Sequence, residues 1–143
     1  MTVSFRNVEA DPSDPVESWP YEALVTAIER GSVSEWVRIA RAVEQQPWGG
    51  VARNVETFLG YERPYGVAPL LERVIDQARA RAEESERAAV AAEVRELQER
   101  SGMSAEAFAR AIGTSRPRLS TYRTGKVTPS AALMVRMRGV ARG

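Results

Sequence analysis

Apolar residues recur three and four positions apart along most of the chain, and this spacing predicts a series of helices. The first helix begins after Pro20 and ends at Gly31. The second has Ser34 as its N-terminal cap and stops at Pro47, since proline disfavours a helical conformation in the residue before it. The third ends near Gly60. The aromatic residues expected in the core of this helical unit are Trp19, Trp36, Trp48, Tyr61 and Tyr65.

A longer helix begins around residues 67–69, and its buried stripe thins to alanine between Arg79 and Ala89. Because this stretch is rich in charged helix formers and contains no proline or glycine, it predicts an exposed helical connector rather than a flexible linker. The apolar pattern resumes at Val90, and Gly102 marks the end of the helix. We therefore expect a flexible arm over residues 1–16, a helical N-terminal unit over residues 17–80, a connector over residues 81–89 and a C-terminal unit over residues 90–143.

The C-terminal unit contains two short helices joined by a tight turn. Ser104 is placed to cap the first helix and Ser115 the second. Gly113 lies at the turn, where a left-handed backbone conformation costs glycine little, and Gly125 ends the second helix. Pro117 lies in the first turn of a helix, which tolerates proline. The positions predicted to face inward are Phe108, Ala109, Ile112, Leu119 and Tyr122.

This segment resembles the helix-turn-helix of the Cro/CI (Xre-type) family of bacterial and phage repressors, over about residues 90–140. The resemblance implies an all-α fold, in which a long helix joins the N-terminal unit to a C-terminal helix-turn-helix bundle. It also implies a sequence-specific transcriptional regulator, a repressor that binds double-stranded DNA as a homodimer at a near-palindromic operator. The matching residues are Gly102, Phe108, Ala109, Ile112, Gly113, Ser115, Leu119, Ser120, Tyr122, Gly125, Lys126, Pro129 and Ser130.

The charge distribution supports a polyanion-binding surface at the C-terminal end. From Ser101 to Gly143 the chain has eight basic residues and one acidic residue, Glu106, for a net charge of +7. Residues 1–100 have 12 arginines and 18 acidic residues, for a net charge of −6. A solvated helix face would mix both signs, so this asymmetry favours nucleic-acid binding over an ordinary helical hairpin.

The resemblance also implies a role for each matching position of the second helix. The positions that face base edges are Arg116, Pro117, Arg118 and Thr121. The positions near the phosphate backbone are Ser115, Arg123, Thr124 and Lys126, to which we add Arg110. The motif core comprises Phe108, Ala109, Ile112, Gly113, Leu119, Tyr122 and Gly125. Relatives often have glutamate where this chain has Arg123, so we expect the end of this helix to be braced differently.

Composition argues against several other classes of function. The chain has no cysteine and no histidine, which excludes disulfides, thiolate metal sites and a Ser-His-Asp triad. We expect no enzymatic activity, no catalytic residues, no cofactor and no metal. There is no long apolar run and no recognisable secretory signal, so we expect a soluble cytoplasmic protein with no membrane contact.

The partner of the N-terminal half stays open between two alternatives. One is an antitoxin of a toxin–antitoxin pair, whose acidic N-terminal half binds a toxin protein while its C-terminal half autoregulates the operon. The other is a regulator that senses a small-molecule effector, since apolar pockets leave no linear motif. The homodimer interface also has two candidates, the helix around Leu71–Ala78 and the terminal helix around Met134–Val140.

Overall fold

In the computed structural model, which describes residues 4, 5 and 10–143, the chain is helical and its described residues form no strand. This confirms the predicted all-α fold. The chain divides between Ala82 and Glu83 into two compact units, each with its own apolar core. After a short 3-10 turn at Val16–Ser18, the α-helices are α1 (Tyr21–Arg30), α2 (Val33–Gln45), α3 (Gly50–Tyr61), α4 (Val67–Ser101), α5 (Ala105–Ile112), α6 (Arg116–Thr124) and α7 (Ala131–Arg142).

The first unit packs α1, α2, α3 and the first part of α4 around fully buried side chains that include Leu24, Ile39 and Leu71. Helix α2 begins at Val33, so its N-terminal cap is Ser32. The prediction that Ser34 caps this helix was wrong. The physical reason is a capping box, in which the N–H and the hydroxyl of the cap residue both donate to Glu35 Oε2, at 3.3 and 2.6 Å. Glu35 is buried, so this contact holds the start of the helix against the core.

The segment predicted as a flexible arm over residues 1–16 is packed where the structure describes it. The Arg38 guanidinium of α2 donates to two carbonyl oxygens of this segment, one of them the Asp14 carbonyl at 2.8 Å. These carbonyls lie outside any helix, and an arginine supplies the donors they lack. The described part of this segment therefore packs against the first unit. Residues 1–3 and 6–9 of the predicted arm lie outside the described residues.

The aromatic residues divide into two groups. Trp19 is buried, and the half-buried Trp36 donates from its indole nitrogen to a backbone carbonyl of α1, so both contribute to the core. Trp48, Tyr61 and Tyr65 are exposed, and the prediction that they build the core was wrong. Each lies at or beyond a helix end, past the last turn of an apolar stripe.

The second unit packs the end of α4 with α5, α6 and α7 around a core of its own. Its buried residues are Val94, Leu97, Phe108, Ala109, Ile112, Leu119, Tyr122, Leu133, Met134 and Met137, with Val140 half-buried at the edge. The last helix therefore contributes three of its apolar side chains to this core. The predicted connector, residues 81–89, lies within α4.

No helix in the described part of the chain combines the length and the apolarity needed to span a membrane.

Candidate nucleic-acid interface

Helices α5 and α6 are bounded by the local signals that the sequence contains. The Ser104 hydroxyl accepts a hydrogen bond from Ala107 N–H at 3.2 Å at the start of α5, and the Ser115 hydroxyl accepts one from Arg118 N–H at 3.3 Å at the start of α6. Between them Gly113 has φ of +83°, the left-handed conformation that a side chain disfavours. The turn that joins the two helices is therefore set by a few residues of local sequence.

The inner face of α6 is anchored in the core of the second unit. Leu119 is fully buried and Tyr122 is 5% exposed. They pack in the same cluster as Ala109, which is 1% exposed and whose methyl group lets two helices approach closely. With one face of α6 held in this way, its opposite face and its first turn are left to solvent.

The positions assigned to base contacts lie together at the start of α6. Arg116, Pro117 and Arg118 are exposed, whereas Thr121 is half-buried. The Thr121 hydroxyl donates to the Arg118 carbonyl at 2.6 Å, so its methyl group and an oxygen lone pair remain for an outside contact. The Arg118 side chain is held at one point, since its Nε donates to the hydroxyl of Tyr122 at 3.1 Å.

The positions assigned to phosphate contacts differ in where they lie and in whether they form an ion pair. Ser115, Thr124 and Lys126 are exposed at the two ends of α6, and Gly125 between the last two has φ of +80°. Arg110 lies on α5, where it pairs with Glu106 at 3.6 Å; both of these side chains are exposed. Arg110 therefore shares its charge with a neighbour on its own helix.

Arg123 is less accessible than the other positions assigned to phosphate contacts. It is half-buried, and its Nε is buried without a hydrogen-bond partner among the described residues. Its backbone carbonyl accepts a hydrogen bond from the guanidinium of Arg95 on α4. The end of α6 is thus held through a main-chain oxygen.

Two further arginines contribute to the bundle and were not singled out from the sequence. Arg136 donates to the carbonyl of Ile112 at 3.3 Å, beside the turn between α5 and α6. Arg138 donates to Glu93 at 2.8 Å, and this hydrogen bond raises the pKa of the Arg138 guanidinium. Both contacts join residues more than twenty positions apart, so no local pattern marks them.

These pairings decide where the positive charge of the second unit is available. Of the salt bridges that the described residues form, none involves the four basic residues on or next to α6, which are Arg116, Arg118, Arg123 and Lys126. The positive charge on and next to α6 is therefore not offset by an ion pair within the described part of the chain. Within the same part of the chain, no cluster of three or more histidine, cysteine or carboxylate side chains is placed to hold a metal ion.

Residues 89–137 match a family model described as a helix-turn-helix domain. The matched range begins in α4, contains α5 and α6 entirely and extends to Met137 of α7. The match confirms the predicted helix-turn-helix unit and is consistent with its Xre-type resemblance. A search of curated proteins and a search of solved structures each found no match.

Proposed function

We propose that this chain is a sequence-specific transcriptional repressor. The proposal starts from residues 89–137, which match a helix-turn-helix domain, because such a domain indicates a DNA-binding regulator. The chain binds DNA as a homodimer at a near-palindromic operator. The observation that carries the proposal is the exposed, acid-free start of α6, where Arg116 and Arg118 reach solvent while the opposite face is buried. A helix that enters the major groove needs this combination of one anchored face and one free basic end.

The exposed residues have the chemistry that base recognition requires. An arginine presents paired N–H donors that match O6 and N7 of guanine, and the methyl group of Thr121 can contact a thymine methyl. Lys126, Ser115 and Thr124 lie at the ends of the same helix and supply phosphate contacts that set its register. Two copies of the chain would place two such helices about 34 Å apart along one face of the DNA.

The experiment that tests this function selects bound fragments from sheared genomic DNA at physiological salt. The wild-type protein is compared with Arg118→Ala and with Arg142→Ala, a control that removes one exposed arginine from α7. We expect the wild type and the control to enrich the same inverted repeat. Arg118→Ala should relax one position of each half-site by about 1–3 kcal/mol.

Two outcomes would contradict the proposal. Enrichment of no sequence by the wild type would leave the basic unit as a non-specific anchor. Enrichment of a single half-site without a repeat would contradict binding as a homodimer.

The antitoxin alternative and the absence of enzymatic activity stay predictions. Co-expression with a neighbouring toxin-sized open reading frame tests the first of them. Co-purification of the two products would favour an antitoxin, and recovery of the free chain alone would count against it.

A further inference from the structure

Arg118 and Tyr122 lie one turn apart on α6 and differ in their freedom to move. Tyr122 is 5% exposed, with its ring in the core of the second unit, so its hydroxyl has a set position. Arg118 is exposed, yet its Nε donates to that hydroxyl at 3.1 Å. Its backbone N–H is also occupied, by the Ser115 hydroxyl that caps the helix. A flexible cation is therefore held at both its backbone and its guanidinium.

This contact decides which edge of the guanidinium is free. An arginine has five N–H donors, one on Nε and two on each Nη. With Nε occupied by Tyr122, the side edge formed by Nε and one Nη cannot serve a base. The end formed by Nη1 and Nη2 remains, and its two parallel N–H groups match the two acceptors of guanine.

We propose that Tyr122 is a positioning residue for base recognition, whose hydroxyl orients Arg118 so that the Nη end of the guanidinium reads a guanine. The inference rests on the proposed function. A phenylalanine would fill the same place in the core, so packing alone does not require the hydroxyl. Holding Arg118 in the free protein removes part of the ordering cost that a flexible side chain would otherwise meet on binding.

The test compares the wild type, Tyr122→Phe, Arg118→Ala and the double variant on a library of operator variants at one salt concentration. Tyr122→Phe should lose about fivefold in discrimination at the one base pair that Arg118→Ala also affects, which is the effect of one hydrogen bond. Its affinity for non-specific DNA and the salt dependence of that affinity should not change. In the Arg118→Ala background, the tyrosine substitution should have no further effect on discrimination.

A second measurement keeps the inference testable if Tyr122→Phe does not fold. In the wild type, the Nε–H of Arg118 should exchange with water more slowly by NMR than the Nε–H of the exposed Arg116, and equal exchange would overturn the positioning role. Equal loss on all sequences in Tyr122→Phe, or additive losses in the double variant, would overturn the positioning role. If the wild type selects no sequence at all, the proposed function itself fails and the inference falls with it.

Discussion

The guanidinium of Arg95 donates a hydrogen bond to the backbone carbonyl of Arg123, one residue before the end of α6. The last carbonyls of a helix have no partner within it and carry the negative end of the helix dipole. A cation from α4 therefore satisfies one of them.

Replacing Arg95 by alanine should lower the free energy of unfolding by about 1 kcal/mol, the contribution of one hydrogen bond at a helix end. Urea unfolding of the full chain measures this loss. The matched control is Arg100→Ala on the same helix, whose pair with Glu96 at 3.8 Å joins two exposed side chains. Such a pair contributes less than about 0.5 kcal/mol, and equal losses in both variants would contradict a bracing role for Arg95.

Ser115 combines a capping function with a place at the proposed DNA surface. Ser115→Ala should cost about 1 kcal/mol of stability, because the Arg118 N–H loses its acceptor. Ser115→Asp keeps an acceptor at the cap and should restore stability, while its negative charge beside the phosphate backbone should reduce DNA affinity about tenfold. Thermal unfolding and fluorescence anisotropy measure the two quantities separately.

Ser104 supplies the control for this pair of substitutions, since it caps α5 in the same way. Ser104→Asp should leave stability unchanged and affect DNA affinity less than Ser115→Asp does. A larger loss of affinity at Ser104 would place the DNA surface at α5 instead of α6.

Two glycines of the second unit should respond with opposite signs to alanine. Gly113 has φ of +83°, so Gly113→Ala should destabilise by about 1–2 kcal/mol through backbone strain. Space is not the cause, because the added Cβ would lie 3.5 Å from Arg136 Nη1, an ordinary contact. Gly139 lies inside α7 with nothing within 4 Å of an added Cβ, and Gly139→Ala should stabilise by about 0.5–1 kcal/mol. Thermal unfolding measures both changes as shifts in Tm. A lower Tm for Gly139→Ala as well as for Gly113→Ala would show that α7 has no room for a side chain at position 139.

The pH dependence of the first unit should reflect a two-point ion pair between α3 and α4. Arg79 contacts both carboxylate oxygens of Glu56, at 2.6 and 2.9 Å, and this hydrogen bonding holds the pKa of Glu56 below its ordinary value of 4.5. A carboxyl group whose folded pKa is lowered stabilises the fold above its unfolded pKa. That contribution is lost as the pH falls through the folded value.

Glu56→Gln should therefore reduce stability near neutral pH and converge with the wild type as the pH falls below the ordinary glutamate pKa of 4.5. The effect is small because the carboxylate is 47% exposed and screened by solvent. Urea unfolding across this range measures the difference between the two proteins. In the Arg79→Ala background, the effect of Glu56→Gln on the free energy of unfolding should no longer depend on pH. If that pH dependence persists, another titratable group causes it.

The sequence alone determined the helix-turn-helix. Ser104, Gly113 and Ser115 act within three or four residues of their own positions, because caps and left-handed turns depend on neighbouring backbone groups. The spacing of Leu119 and Tyr122 likewise determined which face of α6 is buried. Local rules were less decisive in the first unit, where two serines near the start of α2 could each cap it.

Only the tertiary structure decided which cations are free. Arg95 and Arg136 look like any other exposed arginine in the sequence, yet each satisfies a helix-end carbonyl more than twenty residues away. Arg38 in the same way holds the segment before α1, and Tyr61 lies outside the core because α3 ends there. A long side chain can reach many partners, and the fold selects one by bringing an unsatisfied carbonyl within hydrogen-bond distance.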